Sequence, residues 1–194
     1  MLFGGNLKIG VSGGPGVGKS SLAGALGAAL GIPVIGEGVR EWLREHGLIT
    51  PHAATTSEQI ALQDRYFKYK VDTESHLDNF VSDRTVIDGI VIAQHRLQHE
   101  SEYASLEAII LRAKAHAKAT YDLVVVPPFR HYGDEDPIRL KNVVNRKREH
   151  DAIVSYLESE EIPRLCLICS NLSDWVNQCI LTLRSLGFAY HERV

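Results

Sequence analysis

The chain has 194 residues, 44% of them hydrophobic and 23% charged, with a formal net charge of −3. That balance excludes a disordered chain and gives no overall electrostatic footprint for nucleic acid or an anionic membrane, so either partner would need a local basic patch. Three cysteines, Cys166, Cys169 and Cys179, make no disulfide framework and suit a reducing, cytoplasmic interior, while Met1 to Val11 lacks a leader pattern and no run reaches membrane-spanning length.

Leu7 to Val11 reads as a buried strand running into a glycine-rich stretch, and Ser20 to Leu30 as an Ala- and Leu-rich helix stopped by Gly31 and Pro33. Ile32 to Gly36 is a second buried strand, ending at Glu37, and a short helix with Arg40, Trp42 and Leu43 follows it to Gly47. Thr56 with Gln59 has the form of a capping box opening a helix to about His76. Asn79 to Ser82 is a third strand, ending in Asp83-Arg84. Helices are expected over Ile87 to His99 and Ser101 to Thr120, then a β-branched strand from Leu123 to Val126 that stops at Pro127-Pro128. Asp136-Pro137 reads as an N-cap and first helical position opening a long basic helix. Leu165 to Ile168 is a fifth strand and Asp174 to Leu186 a last helix. Strands alternating with helices imply a parallel sheet covered on both faces, with ligands at the strand C-terminal ends. No repeat or linker interrupts the pattern, so residues 1–194 are expected to form one domain.

The most specific signal is Gly13-Gly14-Pro15-Gly16-Val17-Gly18-Lys19-Ser20, which meets G-x-x-x-x-G-K-[ST] at every fixed position. A chance match in a chain this long has a probability on the order of one in a hundred, and the flanking strand and helix are those the motif requires. Its glycines let successive backbone N–H groups turn onto phosphate oxygens, and the helix N-terminus adds partial positive charge. Lys19 would reach the β- and γ-phosphates of ATP and the Ser20 hydroxyl would ligate Mg²⁺; Ser21 completes the nucleotide-binding set.

The rest of the chain narrows the use of that loop. There is no N-K-x-D guanine-reading element, and the length is short for a motor ATPase with a helical lid domain. Glu37, just past the second strand, can accept a proton from an acceptor hydroxyl. Asp83 can hold the Mg²⁺ hydration shell or act as base, and Arg84 can grip a phosphate. Either Glu37 or Asp83 orients the hydroxyl. Asp88 is a weaker acceptor candidate, since an acid in a first helical turn often only stabilises the helix. From Phe129 to Arg148 the chain carries Asp134, Asp136, Arg139, Lys141, Arg146, Lys147 and Arg148. Arg139 and Arg146 share one helical face and Lys141 and Arg148 nearly the opposite one. An arginine pair on a closing segment can meet the charge that develops in phosphoryl transfer.

The stretch Glu37-Gly38-Val39-Arg40-Glu41, Asp83-Arg84 with Asp88, and Tyr121 to Pro128 leading to Asp134 to Arg139 joins the phosphate loop in a pattern that resembles the P-loop nucleoside and nucleotide kinase superfamily. The likeness is strongest to the AAA-type ATPase-like branch that includes nicotinamide riboside kinase domains. The resemblance implies a P-loop NTPase three-layer α/β sandwich with a five-stranded parallel sheet in the order 2-3-1-4-5. It also implies a helical LID at about residues 129–148, ATP-dependent phosphorylation of a hydroxyl or phosphate, and Arg40 and Arg84 near the acceptor. The wider group includes phage enzymes that phosphorylate hydroxymethylated pyrimidines within DNA, which keeps DNA as a possible polymeric acceptor beside free nucleosides and nucleotides.

Tyr66 and Tyr69, three apart with Arg65 adjacent, are expected to contact an acceptor base, and Phe67 to pack in the core. Cys166 and Cys169 are read as buried core thiols, and His95 with His99 as a pair lacking a third metal ligand. The rival to a kinase is an ATP-binding switch that hydrolyses slowly to gate a partner; the LID arginines weigh against it.

Overall fold

The computed structural model describes residues 6–45, 47, 55–96, 100–129 and 143–188. In chain order its elements are β1 (Leu7–Val11), α1 (Lys19–Leu30), β2 (Val34–Ile35), α2 (Val39–Glu45), α3 (Thr56–Ser75), β3 (Asn79–Asp83), α4 (Val86–Arg96), α5 (Glu100–Thr120), β4 (Leu123–Val126), α6 (Val143–Ser159), β5 (Arg164–Cys166) and α7 (Leu172–Ser185). Among the described residues the strands form one parallel sheet in the order β2-β3-β1-β4-β5, as the resemblance implied.

Side-chain alternation along the strands assigns the two faces. Leu7, Ile9, Val11, Val81, Leu123 and Val125 meet Leu22 and Leu26 of α1 and Trp175, Cys179 and Leu183 of α7. Phe80, Val124 and Val126 point the other way, onto Phe67, Ile87, Ile90, Leu106, Ile110, Ile153 and Leu157 from α3 to α6. Each such side chain contributes about 1.5–3 kcal/mol on burial, which is what locks the helices against the sheet. The register sets the site. Val11 lies opposite Asp83 on one side and Val125 on the other, so β1, β3 and β4 reach the same edge almost level. The loops that carry chemistry therefore leave the sheet together.

Several local expectations move. The box that caps α3 is Thr55 with Glu58, one residue earlier than the sequence pattern suggested: Glu58 N–H donates to Thr55 Oγ1 at 3.4 Å and Thr55 N–H to Glu58 Oε2 at 2.7 Å. A carboxylate at that third position holds the free N–H more strongly than the Gln59 amide would. β2 is shorter than read and lies at the sheet edge, leaving Val34 43% exposed. β5, the opposite edge, ends at Cys166. Consequently Cys166 is exposed and Cys169, beyond the strand, is half-buried, so neither is the buried core thiol expected. Only Cys179 is buried among the three, and burial pushes its thiol up to about 12. The helix expected to open at Pro137 is described from Val143 onward; Asp134, Asp136, Arg139, Lys141 and His99 lie outside the described residues, as do the side chains of Arg40 and His95.

Candidate functional site: a phosphate loop held by three elements

The phosphate loop links β1 to α1. Gly18 adopts φ 90°, a conformation that needs glycine, and a Cβ there would also stand 3.2 Å from the Trp175 ring of α7. Lys19 folds back so that its Nζ donates to the carbonyl oxygens of Gly13 and Gly14, each at 2.6 Å. Its side chain is almost fully buried. Ser20 and Ser21 remain exposed on the first turn of α1.

Asp88 holds the loop from the far side. Its carboxylate accepts from Ser12 Oγ at 2.8 Å, Gly13 N at 3.0 Å, Thr85 N at 2.9 Å and Thr85 Oγ1 at 3.2 Å. Asp88 is fully buried. The sequence reading aimed it at an acceptor, whereas the fold turns the carboxylate onto the loop, because α4 starts immediately beside the end of β1. A third contact comes from α6, where Gly14 N–H donates to Nδ1 of His150 at 3.2 Å. A Cβ on Gly14 would stand 2.8 Å from both the Arg146 carbonyl oxygen and the His150 Cβ, so only glycine allows α6 this approach. Arg146 is 2% exposed on this inner face, while Lys147 and Arg148 face out. Of the two helical faces, the one that carries Arg146 turns inward.

Glu37 and Arg84 form an ion pair across the ends of β2 and β3, each side chain about one-fifth exposed. Arg84 adopts φ 65°, a left-handed conformation that costs a non-glycine residue on the order of 1–3 kcal/mol unless its surroundings enforce it. The enforcement is visible: Arg84 N–H donates to the Val11 carbonyl at 3.0 Å, and its own carbonyl accepts from Ser82 Oγ at 3.0 Å. Burial works against its charge, but Glu37, Asp88, Tyr66 and Asp83 together raise the guanidinium pKa above its ordinary value. Asp83 is 9% exposed, and its Oδ1 has no hydrogen-bond partner among the described residues. A buried anionic oxygen without a partner is costly unless a cation or ordered water meets it. Asp83 and the Ser20 hydroxyl are hard oxygen donors of the kind Mg²⁺ takes alongside waters and phosphates.

Beneath these groups lies a buried polar network that the sequence reading missed. Lys70 Nζ of α3 donates to Ser82 Oγ and the Asp83 carbonyl, each at 2.9 Å, and to the Ile35 carbonyl at 3.4 Å. One ammonium therefore ties the ends of β2 and β3, the strands that carry Glu37 and Asp83-Arg84. Glu74, fully buried, accepts from Ser82 Oγ at 2.6 Å and from Tyr121 OH at 3.0 Å, and pairs with His116 Nε2 at 2.6 Å.

Beside Glu37, a small cavity of about 50 Å³ is lined by Gly38, Trp42, Leu62, Arg65, Tyr66 and Tyr69. Tyr66 is 6% exposed and its hydroxyl donates to the Thr85 carbonyl at 2.8 Å. Tyr69 is 40% exposed, with its ring over Gly38. Phe67 packs in the core. The two tyrosines thus share a wall, but only Tyr69 presents much of its ring outward; the hydroxyl of Tyr66 is committed to the loop after β3.

Charge at the site gives a stability prediction. Burial, then repulsion by Arg84, lowers the Lys19 pKa to about 7 against the opposing pull of Asp88, Glu37 and Asp83, and burial lowers Lys70 to about 8. An unfolded lysine keeps its proton to about pH 10.4. Between about pH 7 and 10 the unfolded state therefore holds protons that the native state has shed, and stability rises with pH. In thermal scans of the nucleotide-free chain, the melting temperature is expected to climb across this window. Lys19→Met is expected to flatten the climb by removing the Lys19 contribution; an unchanged slope would contradict it.

Comparisons with known proteins fit this geometry. The family model described as AAA domain matches residues 8–171. A deoxyadenosine kinase from M. mycoides superposes with a TM-score of 0.72 at 12% identity, covering 93% of this chain and 100% of that one. The NadR protein in complex with NR gives 0.74 at 15% identity, covering 97% of this chain and 53% of that chain, so this chain spans about half of NadR. Thymidylate kinase from Candida albicans gives 0.65 at 14% identity, covering 94% and 93%. A search of curated proteins found no match. The chain belongs to the AAA-domain family, and its fold is that of the P-loop nucleoside and nucleotide kinases.

Proposed function

We propose that the chain is an ATP-dependent phosphotransferase that moves the γ-phosphate to a hydroxyl of a nucleoside, a nucleotide or a hydroxymethylated pyrimidine, the last either free or carried in DNA. The observation that carries this reading is the convergence of Lys19, Asp83, Arg84 and Glu37 at one sheet edge, close enough for the three others to act electrostatically on the Lys19 ammonium. Phosphoryl transfer needs little covalent help from a protein; it needs charges fixed where the transferred group and its acceptor meet.

On this reading the loop from Gly13 to Ser20, with Pro15, Gly16, Val17 and Ser21, holds the polyphosphate. Mg²⁺, held by Ser20 and Asp83, would neutralise charge on the phosphate oxygens. Lys19 stabilises the charge that develops on the transferred phosphoryl group. Arg84 holds the Glu37 side chain in place through their ion pair, and Glu37 accepts the hydrogen bond of the acceptor hydroxyl. Tyr69 and Tyr66 wall the acceptor side; Arg40 is assigned to the acceptor, and Arg146 and Arg139 to the charge on the phosphates, as roles in this proposal. The fold neighbours support the class of reaction: a deoxyadenosine kinase, a thymidylate kinase and a NadR protein bound to NR share this arrangement of strands. Among the described residues no helix is long and apolar enough to cross a membrane.

The test is transfer of labelled γ-phosphate from ATP with Mg²⁺ to a panel of nucleosides, nucleoside monophosphates, nicotinamide riboside and DNA bearing hydroxymethylpyrimidine. Label in a small molecule identifies the acceptor, and label in the DNA makes this a DNA-modifying kinase. Label in none of them, with free phosphate released, would overturn the phosphotransferase reading in favour of an ATP-driven switch.

A further inference from the structure

Two peptide units, at Gly13 and Gly14, form the entry to the phosphate loop, and side chains from three separate elements hold them. Asp88 of α4 takes the Gly13 N–H, Lys19 of α1 takes both carbonyls, and His150 of α6 takes the Gly14 N–H. Lys19 opens the helix that follows the loop, while Asp88 comes from 75 positions away in sequence. His150 stands 136 positions away in sequence from the glycine it meets. Its ring abuts the loop, with Nδ1 and Cε1 at 3.4 and 3.6 Å from where a Gly13 Cβ would be. It also contacts the Phe129 ring, 5.7 Å between centroids, just after β4. The imidazole thus joins the phosphate loop, the residues after β4 and α6.

We propose that His150 is a positioning residue for nucleotide binding: as a neutral imidazole it accepts the Gly14 N–H and sets the loop in its phosphate-binding shape. This rests on the reading of Gly13 to Ser20 as the nucleotide loop. A backbone N–H can only donate, so Nδ1 must carry the lone pair and Nε2 the proton. A protonated imidazole has two N–H donors and no acceptor, so protonation breaks the contact and sets two donors face to face.

The surroundings favour the neutral form. Burial lowers the His150 pKa below its ordinary value; Lys19 of α1 and Lys147 of α6 lower it further, while Asp151 of α6 and Asp88 of α4 pull the other way. The contact is therefore intact at neutral pH, and is lost only as the pH falls below the ordinary histidine pKa.

The experiment is direct ATP·Mg²⁺ binding by calorimetry, without any acceptor, for the wild type, His150→Ala and His150→Asn. Asparagine places a carbonyl oxygen, which accepts but does not titrate, close to where Nδ1 stands. His150→Ala is expected to raise the Kd about tenfold, and His150→Asn to restore most of the affinity. Lowering the pH from about 7.5 to 5 is expected to weaken wild-type binding several-fold more than that of His150→Asn, a comparison that cancels the titration of ATP itself. If His150→Ala fails to fold, the pH comparison between the other two proteins still decides. Equal acid sensitivity in those two would overturn the proposal. Tighter wild-type binding in acid would do the same, by making His150 a cation for phosphate. A wild type that binds no ATP would overturn both this role and the reading of the loop beneath it.

Discussion

Lys19→Met is expected to lower kcat for phosphate transfer about 10³-fold while leaving a folded protein, the scale seen when one preorganised electrostatic group is removed from a transition state. The substitution keeps most of the side chain's volume and apolar stem, so the packing around the buried methylenes survives. What goes is the ammonium, which spans the Gly13 and Gly14 carbonyls and faces Asp83, Glu37 and Asp88. The check is a steady-state assay with a Tm measured on the same sample. A variant that kept kcat within a few-fold of the wild type would remove Lys19 from the chemistry. Loss of both kcat and Tm would show that the lysine is needed for the fold as well.

The second large effect is expected at Asp88. Asp88→Ala leaves the N–H groups of Gly13 and Thr85 and the hydroxyl of Ser12 facing an apolar gap in a site with no exposure. An unsatisfied buried donor costs about 1–3 kcal/mol, and hydrogen bonds to a charged group lie at the upper end, so a loss of about 3 kcal/mol is expected. In a chain of this size that is a fall in Tm of roughly 10 °C, with ATP affinity falling beside it because the loop's first turn is released. Ser12→Ala, which deletes one of these bonds and keeps the carboxylate, is expected to cost about 1 kcal/mol. Thermal unfolding with and without ATP separates the two consequences. Equal Tm for Asp88→Ala and wild type would mean that the carboxylate does not secure the loop.

The sequence announced the loop and the sheet because both are written in short, local patterns. Gly13 to Ser20 is contiguous, and the alternation of strands with helices is visible from composition and periodicity alone, while the strand order came with the resemblance. Asp83-Arg84 was legible because a polar pair directly after an apolar strand stands out. Asp88 was legible as a residue but not as a role: in a first helical turn it has the look of a helix-stabilising acid, and only the register of β1 beside β3 shows that it faces Gly13. Lys70 and Glu74 sit on a helix rich in charge, where a lysine is ordinarily solvated; their burial follows from the packing of α3 under the sheet edge. His150 had one signal, a position four residues after Arg146 and so on the same helical face. Nothing local tied that face to Gly14. The cysteines went the other way: Cys166 looked like core because strands usually are, and it is exposed because β5 is an edge.

The decisive measurement follows the fate of the γ-phosphate. With labelled ATP, Mg²⁺ and the acceptor panel, label is counted in organic product and in inorganic phosphate, for wild type and Lys19→Met together. The account predicts label in an organic product from the wild type, little inorganic phosphate, and neither above background from Lys19→Met. Label recovered only as inorganic phosphate, or transfer that persists without the Lys19 ammonium, would contradict it.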